Sequence, residues 1–171
     1  MRAITPDETK ALIKACKPTD LASRAFLDLT LHCGLRVAEA CALRWIDISG
    51  SSIHVRNGKG GKARVIQLTE TYGWLELHHA KSGGNEFVFQ TKAGKQWHTS
   101  HVRRLFARLS GLTGIECHPH SLRHAHACCV WEGTKNLNAV RRQLGHSKLG
   151  TTEIYLQGLG ADVGQIASLS F

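Results

Sequence analysis

Acidic side chains are scarce in this sequence. Thirteen Asp and Glu stand against twenty-two Lys and Arg over 171 residues, a formal charge of +9 with histidine neutral. A surface with that imbalance selects polyanions as partners. No run of 18 apolar residues occurs, which excludes a membrane-spanning helix. The opening MRAITPDETK has no apolar core of a secretory signal, so a cytosolic, reducing compartment is the default expectation. The six cysteines, Cys16, Cys33, Cys41, Cys117, Cys128 and Cys129, form no C-x-x-C pair and no regular framework. That argues against a disulfide scaffold and favours small buried hydrophobes. Internal repeats and low-complexity segments are missing too, which excludes a solenoid. Tyrosine is almost absent: Tyr72 and Tyr155 are the only two.

What remains has the size of one domain, with 42% hydrophobic residues and enough length for a core without metals or disulfides. Thr5-Pro6-Asp7-Glu8 predicts a helix start: a cap, a proline suited to the first turn, and a glutamate closing a capping box. That helix runs to about Lys17, before Pro18. A second spans Asp20 to Cys33 and stops at Gly34. A third carries VAEACAL. The pattern then changes to SSIHVRNGKGGKARVIQL, whose two short alternating stretches flank a glycine-rich turn bearing Lys59, a β-hairpin. Strands are also expected at Trp45–Ile48 and at FVF, 87–89. Val102, Leu105, Phe106 and Leu109 mark one face of a helix. From Pro119 onward the chain reads helical, with breaks at Gly133, near Gly145 and at Gly158. The expected fold class is α+β, mostly helical with a small antiparallel sheet.

The densest chemistry lies in HPHSLRHAHACC, 118–129. A helix starting at Pro119 puts His120 and Arg123 on one face, with His124 and Cys128 nearby. Zinc could use His120, His124 and Cys128, but Arg123 would press a permanent cation against the metal. Phosphate suits the set better: arginine makes bidentate, charge-assisted bonds to its oxygens and histidine moves a proton. H-x-x-R alone is a weak signal.

Companions strengthen it. Arg36 stands in TLHCGLRVAE, Lys59 in NGKGGKAR, Arg123 in HSLRH, and His146 and Tyr155 in LGHSKLGTTEIY. These blocks, in this order, resemble the tyrosine recombinases, also called the phage integrase family, from about Leu31 to Tyr155. ITPDETKALI resembles the usual start of that family's catalytic domain. The resemblance implies that residues 1–171 are one catalytic domain without the N-terminal core-binding domain that members usually carry, either as a piece of a longer protein or as a minimal member.

The resemblance also implies roles. Arg36 and Arg123 would grip the scissile phosphate, Lys59 would protonate the leaving 5′ oxygen with Lys62 as runner-up, and His120 would handle protons. His146 would hydrogen-bond the phosphate, and Tyr155 would be the nucleophile. A phenol has a pKa near 10, so only about one part in a thousand is ionised at pH 7 and a cationic pocket must help. Glu39 would brace Arg36 or a neighbouring helix, and His124 would be structural or would support the residues that touch the phosphate. Lys62, Arg64, Arg103 and Arg104 are expected DNA contacts. His118 and His126 read as helix-surface or DNA-facing residues, and Trp131 as core.

The implied partner is double-stranded DNA, bound by a homo-tetramer on paired sites that associates weakly or not at all without DNA. No membrane, metal, cofactor or ATP is implied. The implied activity is site-specific integration, excision or inversion by a bacterial or phage-encoded protein. A type IB-like topoisomerase shares the residue set, and a non-catalytic DNA-binding domain or zinc module is the reading from another class. The tail after Gly158, with Val163, Ile166 and Leu169 at helical spacing, is expected to dock either on a neighbouring protomer or on its own domain.

Overall fold

The computed structural model describes residues 4–56, 63–68, 72–82 and 84–145. Lys59, Lys62, His146, Tyr155 and the tail expected to dock lie outside them. Seven α-helices and one three-stranded antiparallel sheet make up the described residues, the α+β class expected. No helix among them is long and apolar enough to cross a membrane.

Helix α1, Pro6–Ala15, begins as its sequence dictates. The Thr5 hydroxyl accepts from the Glu8 amide at 3.2 Å, and the Glu8 carboxylate takes the Thr5 amide at 2.8 Å. Helix α2, Leu21–Cys33, is capped by Asp20 and ends at Gly34, whose φ of 58° is the left-handed turn that glycine adopts without strain. Helix α3, Val37–Cys41, follows at once.

Trp45–Asp47 forms a 3₁₀ turn and not the expected strand. Asp47 causes this: its buried carboxylate accepts the Arg44 amide at 3.1 Å and pairs with Arg56, which pulls the chain into a tight loop. Strands β1, Ile48–Ser49, β2, Ser52–Val55, and β3, Arg64–Gln67, then pair in order. The β2–β3 register sets Val55 opposite Arg64 and Ile53 opposite Ile66, so the expected hairpin is present on both sides of the turn. Ile53, Val55 and Ile66 face the core.

Helix α4, Tyr72–Ser82, packs on α2. FVF forms only an isolated bridge from Phe87 to Arg44, because its partner segment turns away into the 3₁₀ loop. Its Val88 and Phe89 are buried all the same. Phe89 meets Phe26 edge-on at 5.2 Å and Trp97 at 5.5 Å, an aromatic centre for the main core.

Helix α5, Thr99–Thr113, buries the four residues of its apolar face. Helix α6, Pro119–Thr134, passes through Gly133 without breaking and ends where Lys135 turns left-handed at φ 48°. Helix α7, Leu137–Leu144, closes a small second core of Ala127, Val140 and Leu144, with half-buried Trp131 at its edge. Gly145 ends it, again left-handed. Five of the six cysteines are buried and Cys129 is exposed; none is bonded to another. Burial pushes the thiols of Cys16, Cys41 and Cys128 up to about 11 and Cys33 to about 12, which makes them inert.

Candidate active site

The site forms where three helix ends meet: the C-terminus of α2, the C-terminus of α7 and the first turns of α6. A helix C-terminus leaves carbonyls without intrahelical donors and carries the negative end of the macrodipole. Arginine is the side chain best suited to both needs.

Arg123 supplies the main link. It sits in α6, 2% exposed, and its guanidinium donates through Nη1 to the carbonyl of Gly34 and through Nη2 to that of Leu144 at 2.7 Å. One cation thus closes the ends of α2 and α7 together. Arg36, two residues beyond Gly34, donates through Nη2 to the next carbonyl along, that of Gly145, at 3.3 Å. Two arginines far apart in sequence are therefore held on consecutive carbonyls, directly before His146.

Glu39 fixes the other side of Arg36. Its carboxylate accepts Arg36 Nη1 at 2.7 Å and the Arg36 amide at 2.8 Å. It also accepts both terminal nitrogens of Arg64, at 2.9 and 2.8 Å. Burial alone would raise the Glu39 pKa; the hydrogen bonds from Arg64 and from the Arg36 backbone outweigh it and hold the carboxyl at about 2. Glu39 is thus an anion at any working pH, and it holds both the amide and the side chain of Arg36. Arg64, grouped in the sequence with DNA-contacting cations, is turned inward. Its side chain is only 12% exposed, both terminal nitrogens are on Glu39, and its buried Nε has no acceptor among the described residues.

His120 lies exposed in the first turn of α6, its ring 6.5 Å from that of His118. Loss of hydration, then the neighbouring His118 and Arg123, lower its pKa, which favours the neutral imidazole that can accept a proton. His118 is the N-cap residue of α6, its amide bonded to Ser121 Oγ at 3.2 Å. His124 is buried. Arg103 and Arg104 are exposed on α5, where Arg104 meets His101 at 3.3 Å. Among the described residues no group of three or more His, Cys, Asp or Glu is placed to hold a metal ion.

His126 corrects the surface reading. It is 5% exposed, and its Nδ1 donates to the Leu31 carbonyl at 2.9 Å. The ring fills the space beside Gly34, where a Cβ would come within 2.4 Å of its Cδ2. Burial, then the neighbouring Arg123, His32 and Arg64, lower its pKa to about 4, partly offset by the Leu31 bond, so it is neutral. The sequence shows the glycine ahead of Arg36, yet neither the inward turn of Arg64 nor the packing of His126 against Gly34 has a sequence signal of its own.

The chain has known relatives. The sequence profile of the phage integrase family matches residues 2–159. The chain belongs to that family. Tyrosine recombinase XerA of Thermococcus kodakarensis is 33% identical over 164 residues, covering 90% of this chain and 57% of that protein. XerC of Xanthomonas campestris pv. campestris is 35% identical over 164 residues, covering 90% and 50%. The chain spans about half the length of the curated relatives it matches. A crystal structure of XerA recombinase superposes with a TM-score of 0.80 at 30% identity, over 91% of this chain and 60% of that one. A lambda integrase dimer bound to a COC′ core site shares the fold, with a TM-score of 0.77 at 21% identity over 94% of this chain and 49% of that one.

Proposed function

We propose that the chain is the catalytic part of a site-specific recombinase that breaks and rejoins double-stranded DNA. The observation that carries this is the pair Arg36 and Arg123 held on consecutive carbonyls beside an ionised Glu39. Two rigid guanidiniums at one corner, preceding His146 in the chain, form a site for a tetrahedral anion.

In this reading the Tyr155 oxygen attacks a DNA phosphorus as its proton leaves, with His120 in the role of acceptor. A bond from Tyr155 to phosphorus forms and the bond from phosphorus to the 5′ oxygen breaks. Lys59 gives that oxygen its proton. The products are a 3′-phosphotyrosine and a free 5′-hydroxyl. Arg36, Arg123 and His146 hold the non-bridging oxygens, whose negative charge grows in the pentacoordinate transition state, and fixed donors aimed at developing charge are the strongest electrostatic contribution to catalysis. A 5′-hydroxyl from a partner strand then attacks the phosphotyrosine, giving its proton to Lys59, and Tyr155 leaves and regains its proton from His120. The phosphodiester energy stays in the covalent bond, so the cycle as written consumes no ATP and assigns no step to a metal. Exchange of both strand pairs calls for four protomers on two DNA sites. The +9 charge supports the polyanionic substrate.

The test is covalent capture. Nicked duplexes with a randomised centre are incubated with the protein in EDTA, and adducts that survive SDS are recovered. Wild type should yield an adduct that mass spectrometry maps to Tyr155. Tyr155→Phe should still bind the recovered DNA and form none. An adduct on Tyr72, or an adduct formed by Tyr155→Phe, would overturn the nucleophile assignment; strict dependence on added metal would overturn the arginine-only mechanism.

A further inference from the structure

We infer that Arg64 is a positioning residue that sets the orientation of Arg36 by occupying Glu39, and that it couples the hairpin to the arginine corner. The inference rests on the function proposed above.

Glu39 has two oxygens and four hydrogen bonds. Arg64 takes one on each oxygen with its two terminal nitrogens, the planar fork geometry that matches a carboxylate. The Arg36 amide takes another on Oε2. Only one place, on Oε1, is left for the Arg36 side chain, and Nη1 fills it. Arg36 is therefore held end-on, by one nitrogen, while its other terminal nitrogen reaches the Gly145 carbonyl. Were Arg64 absent, the same carboxylate would have room for both terminal nitrogens of Arg36. A side-on Arg36–Glu39 pair would draw the guanidinium away from Gly145 and spend donors that an anion at the corner would use.

Position in the fold makes Arg64 suited to the task. It is the first residue of β3, opposite Val55, directly after the turn that carries Lys59 in the sequence. Its stem and guanidinium also lie against Gly145. A Cβ built there would meet Arg64 Cδ at 3.1 Å and Nη1 at 3.2 Å, at a backbone φ of 63°. One side chain thus touches the residue ahead of His146 and the carboxylate that holds Arg36, and stands at the base of the hairpin. Burial of the pair, 12% and 4% exposed, shields it from the screening that weakens surface ion pairs. A lysine in this place keeps the charge but has no fork.

The experiment uses single-turnover adduct formation and DNA affinity, measured on the nicked duplex recovered by covalent capture, for wild type, Arg64→Ala and Arg64→Lys. Both variants should bind DNA with unchanged affinity and form adduct more slowly by roughly 10²-fold, the scale of a small misplacement of a catalytic group. Guanidinium ion added at millimolar concentration should restore part of the Arg64→Ala rate. If Arg64→Ala does not fold, Arg64→Lys, whose stem still packs on Gly145, decides alone. A wild-type rate in Arg64→Lys would show that charge or packing suffices and would overturn the inference. So would a loss of affinity with an unchanged rate on bound DNA, the signature of a direct phosphate contact. Absence of any wild-type adduct would overturn the proposed function and this inference with it.

Discussion

Helices α5 and α6, of 15 and 16 residues, treat their polar side chains in opposite ways. In α5 the buried apolar residues Val102, Leu105, Phe106 and Leu109 share one stripe and the cations lie off it, with Leu112 exposed as well. Arg103 and Arg104 are exposed, and Arg108 makes a part-exposed ion pair with Asp20 at 3.3 Å. Helix α6 has no such division. Every residue from Ser121 to Cys128 is buried, Arg123, His124 and His126 among them. A polar group taken from water costs free energy unless it finds partners; Arg123 finds them in the Gly34 and Leu144 carbonyls, and His126 Nδ1 in that of Leu31, while His126 Nε2 is buried without a partner among the described residues. The lesson is that charge on α5 stays at the surface, whereas charge on α6 is part of how three elements are joined.

Arg123→Ala should break that difference most severely. Adduct formation should fall by at least about 10³-fold, since more than one donor to the transition state is lost. The Gly34 and Leu144 carbonyls lose their donor as well, at about 1–3 kcal/mol for each buried group left unsatisfied. Chemical denaturation and single-turnover capture measure the two losses separately. A variant that cleaves at a wild-type rate would show that Arg123 is only a structural clamp.

Gly34→Ala tests the joint from the other side. The added methyl would sit 2.4 Å from His126 Cδ2 on backbone with φ 58°. The left-handed conformation costs about 1–2 kcal/mol, and overpacking adds about 1–3 kcal/mol. A fall in melting temperature is expected, together with slower adduct formation because the Gly34 carbonyl holds Arg123. Unchanged stability would mean that the His126 ring moves aside freely.

The same ring gives the molecule an acid-sensitive joint. Its folded pKa of about 4 lies below the ordinary histidine value. The unfolded chain therefore takes up a proton near pH 6.5 that the folded chain refuses. The stability linked to His126 is complete above pH 6.5 and is lost as pH falls towards 4, on the order of 3 kcal/mol in all. Urea titrations between pH 7 and 4 should show this limb, and His126→Phe should remove it. An unaltered limb in that variant would place the titration elsewhere.

Arg103→Ala and Arg104→Ala should have the smallest effects. Stability should stay within about 0.5 kcal/mol, as for surface substitutions generally. If these residues contact phosphates, each change should lower the slope of log affinity against log salt by about one. A flat response would show that α5 faces away from the DNA.

The parts legible in sequence are those settled by local rules. The Thr5–Glu8 box, the stop at Gly34, the hairpin and the Val102–Leu109 stripe each depend on neighbours within a few residues. Helix α4 escaped because its apolar residues do not keep to one face: Leu75 is buried while Leu77 is 52% exposed. The strand expected at Trp45 failed because the Asp47 carboxylate reaches back to the Arg44 amide and across to Arg56. Strand propensity has no way to represent such a contact.

Which residues are proposed for the chemistry came from the sequence, because motif spacing survives without coordinates. Arg36, Glu39, His120 and Arg123 could be named there, and the last two share a helix turn. How the arginines are held was decided only by the fold. The Gly34, Leu144 and Gly145 carbonyls have no side-chain signature, and they attract guanidinium only because two helices end side by side. The inward turn of Arg64 and the burial of His126 have the same origin. A residue type states what a group can bond, but whether it meets water, a carboxylate or a glycine depends on which distant segment packs against it.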